Sequence, residues 1–144
     1  MATERRAEVV WQGDLMNGRG TIGVVGSGAF GPLDVSWASR AEEPNGKTSP
    51  EELIAAAWAS CFSMQLSGGL ARSGNPPEKL ETSATVTFQP GEGIIRGALT
   101  VRGTVPGLDE DGFKEAAEDA KKNCPVSKAL TGVPEVTVEA SLAQ

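Results

Sequence analysis

The sequence predicts an α+β fold in one domain that covers residues 1–144. Eighteen glycines and nine prolines divide the chain into short segments. Several segments alternate apolar and polar residues, as half-buried strands do, and others repeat apolar residues at helical spacing. The resulting order, β-β-β-α-β-β-α-α-β, is typical of an α+β protein. The length suits a single domain with a substantial core.

Three short strands are predicted before the first long helix. Glu8 to Gln12 and Gly20 to Val25 are β-prone runs, and the turn signals between them include Asn17-Gly18. Leu33 to Trp37 alternates apolar and polar side chains and predicts the third strand. The polar segment from Glu42 to Ser49 predicts a loop.

A glycine motif lies between the second and third of these strands. Gly26-Ser-Gly-Ala-Phe-Gly31 matches G-x-G-x-x-G, the pattern of a dinucleotide-binding turn. That turn requires a helix directly after it to receive the pyrophosphate, whereas Pro32 and a predicted strand follow here. The motif therefore predicts a hairpin connection rather than nucleotide binding.

The segment from Pro50 to about Gly68 predicts the first helix. Ser49 is the candidate N-cap, proline suits the first helical position, and Glu52 completes a capping box. The helix is apolar on nearly all sides, which predicts that it is buried on most of them. Small polar residues and glycines interrupt the apolar stretch from Leu53 to Leu70, so a membrane span is not predicted.

The rest of the chain predicts two hairpin strands, two helices and a closing strand. Apolar and polar residues alternate in the strands, and apolar residues recur at spacings of 3, 4 and 7 in the longer helix. The predicted elements are the strands Leu80–Phe88 and Ile94–Val105 around a Pro90-Gly91 turn, the helices Asp111–Asn123 and Pro125–Leu130, and the strand Glu135–Leu142.

The residue inventory excludes several kinds of chemistry. Two cysteines and no histidine exclude Ser-His-Asp and Cys-His catalysis and tetrahedral Cys₂His₂ or Cys₄ zinc sites within one chain. The formal net charge is −6, and no basic footprint points to nucleic acid or an anionic membrane as a partner. The N-terminal residues lack the apolar stretch of a signal peptide, so we expect a cytoplasmic protein without a lasting structural disulfide.

Cys61 lies about three turns into the first helix and has two interpretations. It can be a small core residue, because free cysteine is among the most buried residue types. It can also belong to a site with Glu51. The alternative for Glu51 is a purely electrostatic role, in which an acid in the first turn interacts favourably with the helix dipole. Ten residues, or roughly 15 Å along a helix, separate the two residues. They cannot touch within that helix, but an antiparallel copy of the helix from a second subunit of a homodimer could bring Glu51 of one chain beside Cys61 of the other.

Cys124 follows the second helix and precedes Pro125, which makes it the expected N-cap of the short third helix. A helix N-terminus stabilises a thiolate, and Lys121 and Lys122 add positive charge nearby, so the position favours a reactive thiol. The alternative is that Cys124 simply completes the apolar stripe that begins at Phe113.

Together these motifs resemble the OsmC/Ohr family of thiol peroxidases. The stretch from Thr48 to Met64 is similar to that family's cysteine helix, and Asn123-Cys-Pro-Val-Ser127 is similar to its second cysteine motif. Val105-Pro-Gly-Leu108 also fits, as do Trp11-Gln-Gly-Asp-Leu15 and Gly18-Arg-Gly-Thr21. The resemblance covers nearly the whole chain in the same order and favours the OsmC branch.

The resemblance implies an OsmC-like fold, an intertwined homodimer with central buried cysteine helices, and reduction of organic hydroperoxides and hydrogen peroxide in oxidative and osmotic stress defence. It implies that Cys61 is the peroxidatic cysteine, Cys124 the resolving cysteine and Glu51 the active-site glutamate. Arg40 lies where the OsmC branch has its arginine, and Arg19 is the candidate under the Ohr placement. No metal, haem or flavin is implied.

The implied chemistry agrees with the residues present. A thiolate is the nucleophile, and Arg40 can stabilise it because a guanidinium stays charged. Glu51 can orient Arg40 through a bidentate pair. Cys61 would become a sulfenic acid and form a disulfide with Cys124, which an external dithiol, such as a lipoyl group, would reduce by exchange.

Trp58 departs from the smaller or more polar residues that the family leads us to expect, so it can alter the substrate pocket. Trp58, Phe62, Met64 and Leu66 are candidates to line a peroxide pocket, although ordinary core positions are the stronger interpretation. The alternative functions are a non-enzymatic redox-sensing or small apolar ligand-binding module on the same fold, and a structural dimer with inert thiols.

Overall fold

The computed structural model describes residues 1–143 and divides into two compact units, one formed by Met1–Leu53 and one that begins at Ile54. Each unit contains one three-stranded sheet. The strands are β1 (Val9–Gln12), β2 (Arg19–Ile22), β3 (Leu33–Val35), β4 (Lys79–Gln89), β5 (Gly93–Thr104) and β6 (Glu135–Leu142). The helices are α1 (Trp37–Ala41), α2 (Pro50–Arg72), α3 (Glu110–Asn123) and α4 (Pro125–Ala129). The α+β prediction is confirmed, with α1 as an additional short helix.

In the first unit, β1, β2 and β3 form an antiparallel sheet in sequence order. The G-x-G-x-x-G segment connects β2 to β3, and hydrogen bonds from Gly28 N to Val25 O (2.8 Å) and from Val25 N to Phe30 O (3.4 Å) close the turn. A strand follows the glycines, as predicted, so the segment lacks the helix that a dinucleotide-binding turn requires.

The third strand is shorter than predicted because a helix starts inside the predicted segment. Ser36 is the N-cap of α1: its Oγ accepts a hydrogen bond from Ser39 N (3.1 Å), and Ser39 Oγ accepts one from Ser36 N (3.0 Å). This reciprocal capping satisfies two backbone N–H groups at the start of a helix. Trp37 is therefore the first residue of α1 rather than the last residue of a strand.

In the second unit, β5 is the central strand, antiparallel to β4 and parallel to β6. One face of β5 is buried, with glycines at two positions where helix side chains lie against the strand. A Cβ on Gly97 would lie 2.8 Å from the Trp58 ring, and a Cβ on Gly103 would lie 2.5 Å from the Phe113 ring. These two glycines therefore allow α2 and α3 to approach the sheet closely.

The core of the second unit combines a stripe of α2, the buried face of β5 and one face of α3. The stripe of α2 recurs every four residues, as one face of a helix does. The main members are Trp58, Phe62, Leu66, Leu70, Leu99, Val101, Val105, Phe113, Ala117, Ala120 and Cys124.

The first long helix differs from its prediction in length and exposure. It continues through Gly68 and Gly69 to Arg72, since Leu70 still occupies a core position of the stripe. The opposite side is exposed in the single chain, and its side chains are also apolar or small. Met64 is 75% exposed, and Ala56 and Ala57 are exposed. The prediction that this helix is buried on most sides is therefore wrong for the single chain.

Length and composition alone would let α2 cross a membrane, and within residues 1–143 no other helix passes that test. Its buried stripe packs in the core of the second unit. The apolar composition of that stripe is accounted for by this packing.

Candidate active site

The two cysteines meet in the core of the second unit. Their Sγ atoms lie 2.8 Å apart, and both thiols are free. Cys61 is half-buried on α2, whereas Cys124 is fully buried. A disulfide bond is about 2.05 Å long, so the two sulfur atoms are in contact but not bonded.

Local structure fixes Cys124 between two helices. Its backbone N–H donates to Ala120 O (2.9 Å) near the end of α3, and its carbonyl accepts from Lys128 N (3.0 Å) in α4. It is the N-cap of α4, as predicted, with Pro125 at the first helical position. Its sulfur, however, makes no capping hydrogen bond to the α4 backbone. The thiol faces Cys61 instead.

The surroundings of Cys61 favour its neutral form. Burial is the largest cause that raises the pKa of Cys61, and the Cys124 thiol raises it further. A hydrogen bond from the Val126 backbone N–H lowers the pKa, because it stabilises the thiolate. The net direction is upward, so these contacts within one chain disfavour ionisation of Cys61.

The other two predicted site residues, Arg40 and Glu51, form a charged pair in the first unit. Arg40 Nε and Nη2 donate to Glu51 Oε1 and Oε2, each at 2.9 Å, in a bidentate pair. The Glu51 side chain is 7% exposed and that of Arg40 is 32% exposed. Two parallel charge-assisted hydrogen bonds fix the plane of the guanidinium and leave part of it accessible.

The end of α1 and the start of α2 position these two side chains. Arg40 lies in the last turn of α1, and Glu51 lies in the first turn of α2. Ser49 Oγ accepts from Glu52 N (3.2 Å), which is the predicted N-cap contact, whereas the Glu52 carboxylate accepts from the Thr48 hydroxyl (2.7 Å). The predicted capping box, in which the Glu52 carboxylate would accept from the Ser49 backbone N–H, is thus replaced by a contact with Thr48, and Glu51 pairs with Arg40.

The alternative arginine lies elsewhere in the first unit. Arg19 is exposed at the start of β2, opposite Gln12 of β1. The positive charge that contacts Glu51 is that of Arg40.

The sequence-predicted residues thus form two pairs, each within its own unit: Arg40 with Glu51, and Cys61 with Cys124. Lys121, one of the two lysines expected to favour a Cys124 thiolate, pairs with Glu118 (3.1 Å). Among residues 1–143, no cluster of three or more metal-binding side chains occurs.

The candidate pocket residues are mostly core. Trp58, Phe62 and Leu66 are at most 1% exposed, whereas Met64 is exposed. One residue close to the cysteines was not singled out from the sequence: Ser127, whose Oγ accepts a hydrogen bond from Trp58 Nε1 at 2.7 Å. Its only sequence signal is its place in the segment from Asn123 to Ser127.

The chain is similar to known proteins over its whole length. Residues 43–139 match the family described as OsmC-like protein; the match includes Glu51, Cys61 and Cys124 and begins just after Arg40. Peroxiredoxin OsmC of Escherichia coli (strain K12) is 36% identical over 145 residues, which are 99% of each chain, and Peroxiredoxin OsmC of Shigella flexneri matches equally.

Two solved structures share the fold. An OsmC like protein from Mycoplasma pneumoniae has a TM-score of 0.74 and 17% identity, with 100% of each chain covered. The organic hydroperoxide resistance protein OhrB of Bacillus subtilis has a TM-score of 0.65 and 25% identity, with 96% of this chain and 98% of that chain covered. The predicted OsmC-like fold is confirmed by these likenesses.

Proposed function

The chain belongs to the OsmC family of thiol-dependent peroxidases, and we propose that it reduces hydroperoxides with Cys61 as the peroxidatic and Cys124 as the resolving cysteine. The observation that carries this proposal is the contact of two free sulfur atoms at 2.8 Å. Both family motifs meet there, and a peroxidase that forms an internal disulfide needs two thiols within reach of each other.

The proposed cycle has three steps. The Cys61 thiolate attacks one oxygen of the peroxide, the O–O bond breaks, and Cys61 becomes a sulfenic acid. The alkoxide or hydroxide that leaves takes a proton from solvent and becomes an alcohol or water. The Cys124 thiol then attacks the sulfenic sulfur, so that a disulfide forms and water leaves. An external dithiol, which we propose to be of the lipoyl type, reduces the disulfide by exchange and is itself oxidised.

The attack on the peroxide needs the thiolate form of Cys61, because the thiolate is the nucleophile. Burial and Cys124 raise the pKa of Cys61, so a fixed positive charge must offset them. We assign that role to Arg40. It stays charged at any relevant pH, Glu51 holds its orientation through two hydrogen bonds, and about a third of its side chain remains accessible.

Arg40 and Cys61 would meet in a homodimer. Glu51 and Cys61 lie ten residues apart on the continuous helix α2, which is roughly 15 Å. An antiparallel α2 from a second subunit would bring Glu51 and Arg40 of one chain to Cys61 of the other, twice per dimer. The exposed face of α2, with Ala56, Ala57 and Met64, supports this proposal because small and apolar residues suit close helix packing.

Organic hydroperoxides and hydrogen peroxide are the proposed substrates, and oxidative and osmotic stress defence is the proposed role. The related OhrB of Bacillus subtilis is named for organic hydroperoxide resistance, which supports the organic class. We place the reaction in the cytoplasm, where thiols are kept reduced. The proposed chemistry uses only the two thiols and the arginine and requires no metal, haem or flavin.

The test is mass spectrometry after one equivalent of an organic hydroperoxide, followed by turnover with a dithiol. The expected product is one Cys61–Cys124 disulfide per chain. Cys61→Ser should abolish peroxide consumption, and Cys124→Ser should allow one oxidation and then accumulate sulfinic acid. Retained turnover in Cys61→Ser would refute the assignment, and a disulfide that forms once but is never recycled would favour the redox-sensing alternative.

A further inference from the structure

A second contact joins the two cysteine-bearing segments, one helical turn from the sulfur pair. Trp58 precedes Cys61 by three residues on α2, and Ser127 follows Cys124 by three residues in α4. Trp58 Nε1 donates to Ser127 Oγ at 2.7 Å, next to the Sγ–Sγ contact of 2.8 Å. Both contacts therefore span the same junction between α2 and the segment that carries Cys124.

The tryptophan end of this contact is held rigidly. Trp58 is fully buried, and its ring lies against Gly97 of β5, where a Cβ would be only 2.8 Å from ring atoms. The indole consequently cannot move towards the sheet, and its N–H is fixed by packing. A half-buried Ser127 bound to this fixed donor sets the position of α4 relative to α2.

We propose that Trp58 and Ser127 are positioning residues for the resolving step: their hydrogen bond holds Cys124 against Cys61, so that Cys124 captures the sulfenic acid before a second peroxide does. This inference rests on the proposed peroxidase function. In the resolving reaction the sulfenic S–O bond breaks, the Cys124 thiol loses its proton, a disulfide bond forms and water leaves. In the competing reaction a second hydroperoxide oxidises the sulfenic acid to a sulfinic acid and is reduced to the alcohol.

Because both reactions consume the same intermediate, the position of Cys124 sets the ratio of the two products. Small displacements of a reacting group lower the rate of an intramolecular reaction strongly. Loss of the Trp58–Ser127 hydrogen bond should therefore raise the proportion of sulfinic acid. A contribution to stability alone would leave that proportion unchanged in the folded protein.

The experiment measures the ratio of sulfinic acid to disulfide by intact-protein mass spectrometry over a hydroperoxide titration. Ser127→Ala and Trp58→Phe each remove one partner of the bond, and Ser127→Thr keeps the hydroxyl. Thr82→Val is the matched control, because it removes another hydroxyl contact of α2, the 2.7 Å pair of Ser63 Oγ and Thr82 Oγ1, which leads to β4 instead of α4. Near-UV circular dichroism confirms that each variant is folded.

Ser127→Ala and Trp58→Phe should raise the ratio about tenfold, whereas Ser127→Thr and Thr82→Val should stay near the wild-type value. Wild-type ratios in both Ser127→Ala and Trp58→Phe would overturn the inference. An equal rise in Thr82→Val would also overturn it, because general loosening of α2 would then explain the effect.

A second readout needs no peroxide. An aromatic disulfide reagent converts Cys61 into a mixed disulfide, and Cys124 then releases a second coloured thiolate when it closes the internal disulfide. Ser127→Ala should slow this second release about tenfold, and an unchanged rate would contradict the positioning role. If the wild-type protein closes its disulfide here but does not react with peroxide, the proposed function fails while the positioning role stands.

Discussion

The Arg40–Glu51 pair makes an asymmetric prediction about stability. Removal of arginine in Arg40→Met leaves the Glu51 carboxylate, 7% exposed, without the guanidinium. Removal of one partner from a buried ion pair costs about 3–5 kcal/mol. Since Arg40 is 32% exposed, water partly screens the pair, and we expect about 2–3 kcal/mol for Arg40→Met.

The opposite substitution should cost less. Glu51→Gln keeps the size and one acceptor oxygen, and the Arg40 side chain, 32% exposed, stays in contact with water. We expect about 1 kcal/mol, the value of an ordinary hydrogen bond. Urea unfolding at fixed protein concentration gives both values, with Glu52→Gln as the matched control, because Glu52 is an exposed acid of the same helix turn.

The asymmetry is the critical result. Equal losses for Arg40→Met and Glu51→Gln, or a larger loss for Glu51→Gln, would show that burial of the carboxylate does not govern the energy of this pair. A loss in Glu52→Gln as large as in Arg40→Met would attribute the effect to the helix dipole instead.

Three further predictions concern the second unit. In Arg40→Met, which lacks the proposed cation, the rate at which Cys61 reacts with a thiol reagent should rise with pH to a midpoint above the ordinary thiol pKa, because burial and Cys124 raise the pKa of Cys61. The wild-type midpoint should lie lower, and equal midpoints in the two proteins would contradict the role of Arg40. In Arg40→Met the same raised pKa favours the neutral thiol in the folded state, so this contribution to stability is complete below the unfolded pKa and is lost as the pH rises through the folded pKa. Urea unfolding across alkaline pH checks this against the double variant Arg40→Met/Cys61→Ser. Gly103→Ala should destabilise the fold by about 1–3 kcal/mol, since its Cβ would lie 2.5 Å from Phe113. The control is Gly132→Ala, where a Cβ meets nothing within 4 Å. Thermal unfolding measures both, and equally small shifts of the midpoint in the two variants would contradict close packing at Gly103.

Local signals in the sequence were sufficient for much of the fold. The last strand occupies Glu135–Leu142, as predicted, because apolar and polar residues alternate through it. The third strand was predicted too long because Trp37 continues an apolar alternation, whereas the hydroxyl groups of Ser36 and Ser39 start a helix there. Capping by side-chain oxygen atoms outweighs the apolar pattern over so short a segment.

Contacts between distant residues explain what could not be predicted for the site. Trp58 and Ser127 are 69 positions apart and form their hydrogen bond only when α2 and α4 pack together. No local pattern indicates a bond of that kind. The proximity of the two sulfur atoms, 63 positions apart, followed from the family resemblance, whereas the residues alone allowed Cys124 to be an ordinary core residue.

The parallel pairing of β5 and β6 has a consequence for synthesis of the chain. Parallel neighbours require a long crossover, and Cys124 lies on that crossover, which runs from Thr104 to Glu135 through α3 and α4. Ribosomes add about 5–20 residues each second, so a gap of 63 residues leaves Cys61 without its partner for roughly 3–13 s. Under the proposed function, a nascent chain therefore carries the peroxidatic thiol without its resolving thiol for that interval.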